Sequence, residues 1–228
     1  MELLVFGHGG ARVLVFPTRQ GRFFDYENWG LTAALRDQIQ NGQIQLFCVD
    51  SLDSESLYGW EKHPKDRIAR HKEYETYILQ EVVPFTAWKN PNSELVAHGC
   101  SIGAYHAVNI SFRNPGLFRR VIALSGRYDL TRPVGPFPDL FCGHYDTDIY
   151  FHTPNHFLPN LSDSAIIESL RQMRIALAVG EADPFGDSNR ELSQSLWDKG
   201  VWHSLDIWDG RAHCAKYWRQ MVPKYFQA

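Results

Sequence analysis

Glu94-Leu95-Val96-Ala97-His98-Gly99-Cys100-Ser101-Ile102-Gly103-Ala104-Tyr105 decides the fold. Residues 94–98 are a short, mostly apolar run and read as a buried strand. Residues 102–112 carry apolar side chains at helical spacing, so a helix opens almost where the strand ends. The five residues at the junction fit the pattern G-x-S-x-G. A chain that passes from strand to helix in so few residues brings the positions two before and two after the serine into contact. Only glycine leaves room there. The bare pattern is weak, since 17 Gly and 14 Ser in 228 residues give roughly 0.08 chance matches. The strand before it and the helix after it supply the weight.

Working outward, strand and helix alternate along the rest of the chain. Residues 3–6 and 13–16 read as a β-hairpin around Gly7-His8-Gly9-Gly10, with His8 as a turn residue. A polar loop follows over 18–28, then a helix over 29–40 and a buried strand over 43–49. A long helix runs over 65–88, broken near Pro84. A strand over 119–124 precedes an irregular stretch, 127–160, that contains Pro133, Pro136, Pro138, Pro154 and Pro159. That stretch reads as a cap or extended loop. Helices over 165–173, 189–199 and 217–225 then alternate with strands over 175–179 and 202–208. The pattern predicts an α/β protein, a mainly parallel central sheet with helices on both faces, as one domain over 1–228. In open sheets of this kind chemistry gathers at the carboxyl ends of the strands, so the turns that follow strands are the ones to read.

Composition narrows the field. A net charge of −3 without a basic block argues against nucleic acid or an acidic membrane surface as partner. No apolar run reaches the length of a membrane span, and the first residues have no signal-peptide character. Cys48, Cys100, Cys142 and Cys214 form no C-x-x-C pair, which fits a reduced, cytoplasmic protein. A homo-oligomer is compatible with all of this.

Ser101, at the strand-to-helix turn, is the candidate nucleophile. Cys100 lies one place early, where the turn would direct its side chain into the fold. A serine hydroxyl needs a base in contact, and in this arrangement the chain order is serine, acid, histidine. His213 follows the strand over 202–208 in a loop, whereas His203 sits inside that strand. The acid should follow the strand over 175–179, where Gly180-Glu181-Ala182-Asp183-Pro184 lies. Asp183 is preferred because Pro184 favours an extended conformation before it. Asp187 and Glu181 are alternatives that also suit a helix N-terminus, and Asp209 is a weaker one. The backbone N–H of Ile102 is one expected oxyanion donor. The second is expected after the strand over 13–16, from Arg19 with Thr18 next. Arg19 and Arg22 give this loop a positive rim that would favour anionic acyl groups, or they are solvated loop charges. His144, Asp146, Asp148, His152 and His156 crowd one stretch but match no metal-ligand spacing. With Tyr145, Tyr150, Phe151 and Phe157 they read instead as cap surface lining an acyl or leaving-group pocket, with no metal and no cofactor.

Over nearly its whole length the chain resembles the esterase D-like branch of the α/β-hydrolases. The resemblance rests on Phe16-Pro17-Thr18, the turn at Gly99-Cys100-Ser101-Ile102-Gly103, Val121-Ile122-Ala123-Leu124-Ser125-Gly126, the acid turn at 180–184, and the His213 loop followed by Tyr217-Trp218. It implies a triad of Ser101, Asp183 and His213, a sheet of about eight strands, no cofactor, and hydrolysis of a carboxylic or thiol ester through an acyl-enzyme. Cys214-Ala215-Lys216 after the histidine and Arg19-Gln20 in the oxyanion loop depart from the family pattern and bear on the substrate. An acyltransferase using the same triad, or a non-catalytic binding protein on a hydrolase fold, are the alternatives.

Overall fold

Seven strands form one sheet in the computed structural model, which describes residues 1–227. They are β1 (Leu3–Phe6), β2 (Ala11–Phe16), β3 (Ile44–Val49), β4 (Leu95–Cys100), β5 (Arg120–Leu124), β6 (Arg174–Gly180) and β7 (Ser204–Trp208). Their order across the sheet is β1-β3-β2-β4-β5-β6-β7, and all pairs are parallel except β1 with β3. The resemblance implied about eight strands; seven are found among the described residues.

The expected hairpin is not formed. β1 pairs with β3, which lies between β1 and β2. The Gly7–Gly10 connection instead crosses the amino end of β3. A Cβ at Gly7 would lie 2.9 Å from the Ile44 carbonyl oxygen, and one at Gly10 would lie 2.1 Å from the carbonyl of Gln43. A short glycine-rich link between two apolar runs carries the same local signal whether or not a third strand later inserts between them. His8 is an exposed residue of this crossing, beside Gly42.

Apolar residues alternate along the strands and sort onto two faces. Leu14, Phe16, Phe47, Ala97, Val121 and Leu177 face one core, completed by helices α4 (Pro64–Tyr77), α5 (Val83–Lys89), α6 (Ile102–Arg113), α9 (Ser164–Arg171) and α10 (Gly186–Asp198). Val13, Val15, Leu46, Val96, Ile122 and Ala178 face the other. That side is covered by α1 (Asp25–Asn28), α2 (Leu31–Ala34), α3 (Arg36–Gln40) and α11 (Ala215–Tyr225). The single helix expected over 29–40 is therefore two short ones. The break near Pro84 takes the form of a π-helical turn, Ile78–Val82, ahead of α5. The stretch over 127–160 contains α7 (Thr147–Phe151) and α8 (Pro154–Phe157). Leu130, Leu140, Phe141 and Ile149 seat it on Leu57, Ile68 and Tyr105. The accessible surface is 9890 Å², close to the roughly 10,600 Å² that scaling gives for this mass. Among the described residues no helix is long and apolar enough to cross a membrane.

The strand order reverses between β2 and β4: the chain leaves β2 toward β3 on one side and leaves β4 toward β5 on the other. That reversal opens a crevice beyond their carboxyl ends. The 18–21 loop and the turn at Ser101 meet there.

Candidate active site

Ser101 is held at φ 58° and ψ −121° as the N-cap of α6. Its N–H donates to the Leu124 carbonyl of β5 at 2.8 Å. The glycine requirement is literal. A Cβ on Gly99 would lie 2.2 Å from the Gly103 carbonyl carbon, and a Cβ on Gly103 would lie 2.4 Å from the Phe16 carbonyl oxygen. Cys100 is buried, and burial pushes its thiol pKa up, so it is no rival to the serine.

His213 Nε2 lies 3.1 Å from Ser101 Oγ, and His213 Nδ1 lies 2.9 Å from Asp183 Oδ2. The Asp183 carboxylate is fully buried, and its Oδ1 accepts the Phe185 N–H at 2.9 Å. The other acids are elsewhere. Asp187 is exposed at the start of α10 and pairs with Arg190, while Glu181 and Asp209 are exposed. His203 is buried against Ser193 Oγ at 2.7 Å.

The acid turn and the histidine loop are laced together by main-chain bonds. Glu181 N–H donates to Trp208 O at 2.8 Å and Ala182 N–H to Gly210 O at 2.9 Å. Gly180 allows this approach, since a Cβ there would lie 2.1 Å from the Arg211 carbonyl oxygen. Behind His213, Ser125 accepts the Trp218 indole N–H at 3.2 Å and reaches the Ala212 carbonyl at 3.5 Å. Trp218 and Phe185 flank the imidazole, with ring centroids 5.5 Å and 5.7 Å away.

The N–H groups of Ile102 and Arg19 donate to no acceptor among the described residues. Asp53 steadies the loop that holds Arg19. Its Oδ2 accepts the Gln20 N–H at 3.1 Å where Gln20 takes φ 54°, and its Oδ1 lies 3.1 Å from His106 Nε2.

A cleft of about 280 Å³ opens over Ser101 and His213. Its apolar wall is Trp29, Phe137, Phe185 and Trp218, and its polar wall is Thr18, Arg19, Tyr58 and Arg127. This corrects two expectations. Arg22 does not line the cleft; it pairs with Asp50 at 2.8 Å. Tyr150, Phe151 and Phe157 line a separate groove of about 570 Å³ with Phe112 and Arg113, because α7 and α8 pack against α4, α6 and α10. Tyr145 bonds to His156, away from the cleft. Arg127 lies just beyond β5, a position that the rule of reading turns after strands does flag. Tyr58 comes from an aperiodic loop that carries no such signal.

The histidine-rich stretch disperses. His144 pairs with Asp146, Asp148 with Lys72, and His156 with Asp129. His152 turns inward to join His71 and Glu75, whose ligand atoms lie within 4.8 Å of one another. Burial pushes the His71 pKa down to about 4 despite Glu75. The Arg113 guanidinium contacts both Glu75 and His152, so a resident cation already holds that carboxylate.

A mainly parallel sheet with helices on both faces, a strained serine turn after a central strand and a histidine-bearing loop after the last strand define an α/β-hydrolase. The chain belongs to the family described as Putative esterase, whose model matches residues 23–224. Solved structures of similar fold include an S-formylglutathione hydrolase from Agrobacterium tumefaciens, 12% identical at a TM-score of 0.74, covering 98% of this chain and 86% of that one. A ferulic acid esterase is 16% identical at 0.71, covering 97% and 89%. The fluorophosphonate-binding serine hydrolase F of Staphylococcus aureus is 13% identical at 0.67, covering 96% and 82%. No curated protein matches the sequence. Family membership supports ester hydrolysis, with a small-molecule ester as substrate.

Proposed function

We propose that the protein is a serine ester hydrolase that acts on a carboxylic or thiol ester through an acyl-enzyme. The observation that carries this reading is His213, one ring nitrogen 3.1 Å from Ser101 Oγ and the other 2.9 Å from Asp183. Ser101 Oγ attacks the acyl carbonyl and gives its proton to His213 Nε2. The Ile102 and Arg19 N–H groups receive the oxyanion, which a donor of this kind stabilises by roughly 10² to 10³ in turnover. Asp183 fixes the imidazole tautomer and stabilises the imidazolium. Collapse breaks the bond to the leaving group, which takes the proton from His213. Water, deprotonated by the same nitrogen, then releases the acid and restores Ser101. The stretch over 127–160 is the cap of a single hydrolase domain, contributing Arg127 and Phe137 to the cleft. The exposed thiols of Cys142 and Cys214 suit a reducing, cytoplasmic setting.

Turnover of p-nitrophenyl esters and of thioesters of graded chain length tests the reading. Ser101→Ala should lower kcat/KM by about 10⁴-fold or more with the fold intact. A fluorophosphonate should label the wild type at Ser101. Undiminished activity in Ser101→Ala, or a folded wild type that takes no label, would reject the assignment. Diversion of product into a new ester by an added alcohol would mark an acyltransferase instead.

A further inference from the structure

Arg127 is an unusual wall residue. Only 3% of it is exposed, yet it lines the cleft over Ser101. A guanidinium at that depth normally has a carboxylate beside it, because an unpaired buried charge is strongly unfavourable. Arg127 makes no ion pair among the described residues. Asp129, close in sequence, gives Oδ1 to the N–H groups of Thr131 and Arg132, and Oδ2 to His156 and Arg132. Asp139 accepts the N–H groups of Phe141 and Gly143.

Main-chain carbonyls hold the guanidinium in place. Nε donates to Asp129 O at 3.1 Å, and Nη2 donates to Arg132 O at 2.8 Å and Pro138 O at 2.7 Å, with Leu130 O at 3.4 Å. These bonds orient the plane but bring no net negative charge. Burial pulls the Arg127 pKa down, outweighing Tyr58, Asp129 and Asp139, which lie near enough to raise it but form no ion pair with it. Nη1 has no protein partner among the described residues and is the edge left to bond a ligand. Two more donors share the cleft. Arg19 is exposed, forms no ion pair among the described residues and stands 5.9 Å over the Tyr58 ring. The Tyr58 hydroxyl has no hydrogen-bond partner among the described residues. Among the described residues no carboxylate lines the cleft, and Asp183 stands behind His213.

We infer that the preferred substrate is an ester or thioester bearing a free carboxylate, anchored on the Nη1 edge of Arg127 with Arg19 and the Tyr58 hydroxyl beside it. The inference rests on the hydrolase reading and adds the charge of the substrate to it. A carboxylate there would bond the guanidinium directly, as neither Asp129 nor Asp139 does, through charge-assisted hydrogen bonds.

The test compares matched esters. 4-Nitrophenyl hydrogen glutarate against 4-nitrophenyl pentanoate places the charge on the acyl side. Carboxymethyl butanoate against ethyl butanoate, followed by acid release, places it on the leaving group. In the wild type the anionic member of at least one pair should have the higher kcat/KM, by on the order of 10- to 100-fold. That ratio should shrink with added salt, as screening weakens the attraction. In Arg127→Met it should fall toward one, and in Arg127→Lys it should be partly kept. A merely structural arginine would lower both members alike and leave the ratio standing. Should Arg127→Met fail to fold, Arg19→Gln on the exposed loop must still lower the wild-type ratio. Equal or better turnover of the neutral member in both pairs overturns the inference while leaving the hydrolase intact. Absence of turnover on all four esters, with no fluorophosphonate labelling of folded protein, overturns the hydrolase reading beneath it.

Discussion

Ser101 occupies a backbone conformation that an L-residue rarely adopts, at an expected cost of about 1–3 kcal/mol. The turn is held by the Ser101 to Leu124 bond and by the close approach of Gly99 to Gly103. Gly99→Ala should therefore destabilise the protein by about 3 kcal/mol or more, since its Cβ meets backbone that cannot rotate away. A urea midpoint unchanged from wild type would contradict this. Asp183→Asn should behave differently. The amide can keep the shape of the site but favours the wrong imidazole tautomer, so kcat should fall by about 10⁴ while the circular dichroism is preserved. Retained turnover would point to another acid. The proposed triad of Ser101, Asp183 and His213 could be picked out in the sequence because each follows a strand, where the fold class directs attention. Arg127 satisfies the same rule, but its meaning depends on its having no carboxylate in an ion pair among the described residues, which only three-dimensional proximity reveals. Tyr58 belongs to a loop without periodicity, and Trp29 opens the stretch read as one helix but caps the end of α1 instead, so their places in the cleft could not be read.

At the scale of elements, the proposed base and its acid are set by the lacing of the β6–α10 turn to the β7–α11 loop. Gly180→Ala would press a methyl group against the Arg211 carbonyl and part these segments. The expected result is a lower melting temperature together with a fall in kcat larger than any change in KM. An effect confined to KM would show that the lacing does not orient His213. The oxyanion loop depends in the same way on Asp53, whose Oδ2 holds Gln20. Asp53→Asn offers an N–H donor where an acceptor is needed if its amide nitrogen faces Gln20, and keeps the acceptor if it faces His106. As the loop loosens and the Arg19 N–H drifts from the proposed oxyanion site, turnover should drop by up to about 10²-fold, with substrate binding less affected. The strands and helices themselves were mostly legible, since burial imposes periodicity. The hairpin reading of β1 and β2 failed because strand neighbours are settled by the whole sheet, here by the 44–49 strand sliding between them.

For the molecule as a whole, acid should be the weak side. His98 lies fully buried in β4, with Nε2 3.0 Å from the Tyr26 hydroxyl and Nδ1 2.8 Å from the Ile122 carbonyl. Burial pushes its pKa from 6.5 down to about 4. The unfolded chain therefore takes up a proton near pH 6.5 that the folded chain refuses until about pH 4. Across that window the unfolded state binds more protons, so stability is full above pH 6.5 and falls as pH drops. The loss approaches roughly 3 kcal/mol for this one group. His71 works in the same direction through burial, with Glu75 opposing it. His98→Gln should flatten the dependence of Tm on pH between 4 and 6.5, even if it lowers Tm at neutral pH. A slope equal to that of the wild type would remove His98 as the cause.

The groups proposed to react hang from strand ends and from a laced pair of turns, whereas Tyr58, Arg127 and Phe137 of the cleft wall hang from longer connections between elements. Part of the selectivity is thus carried by lengths of chain that carry none of the proposed reactivity. Mutational drift in the connections can recruit new acids and alcohols without disturbing the proton path, so close relatives of this protein should diverge in the compounds they cleave well before they diverge in how they cleave them.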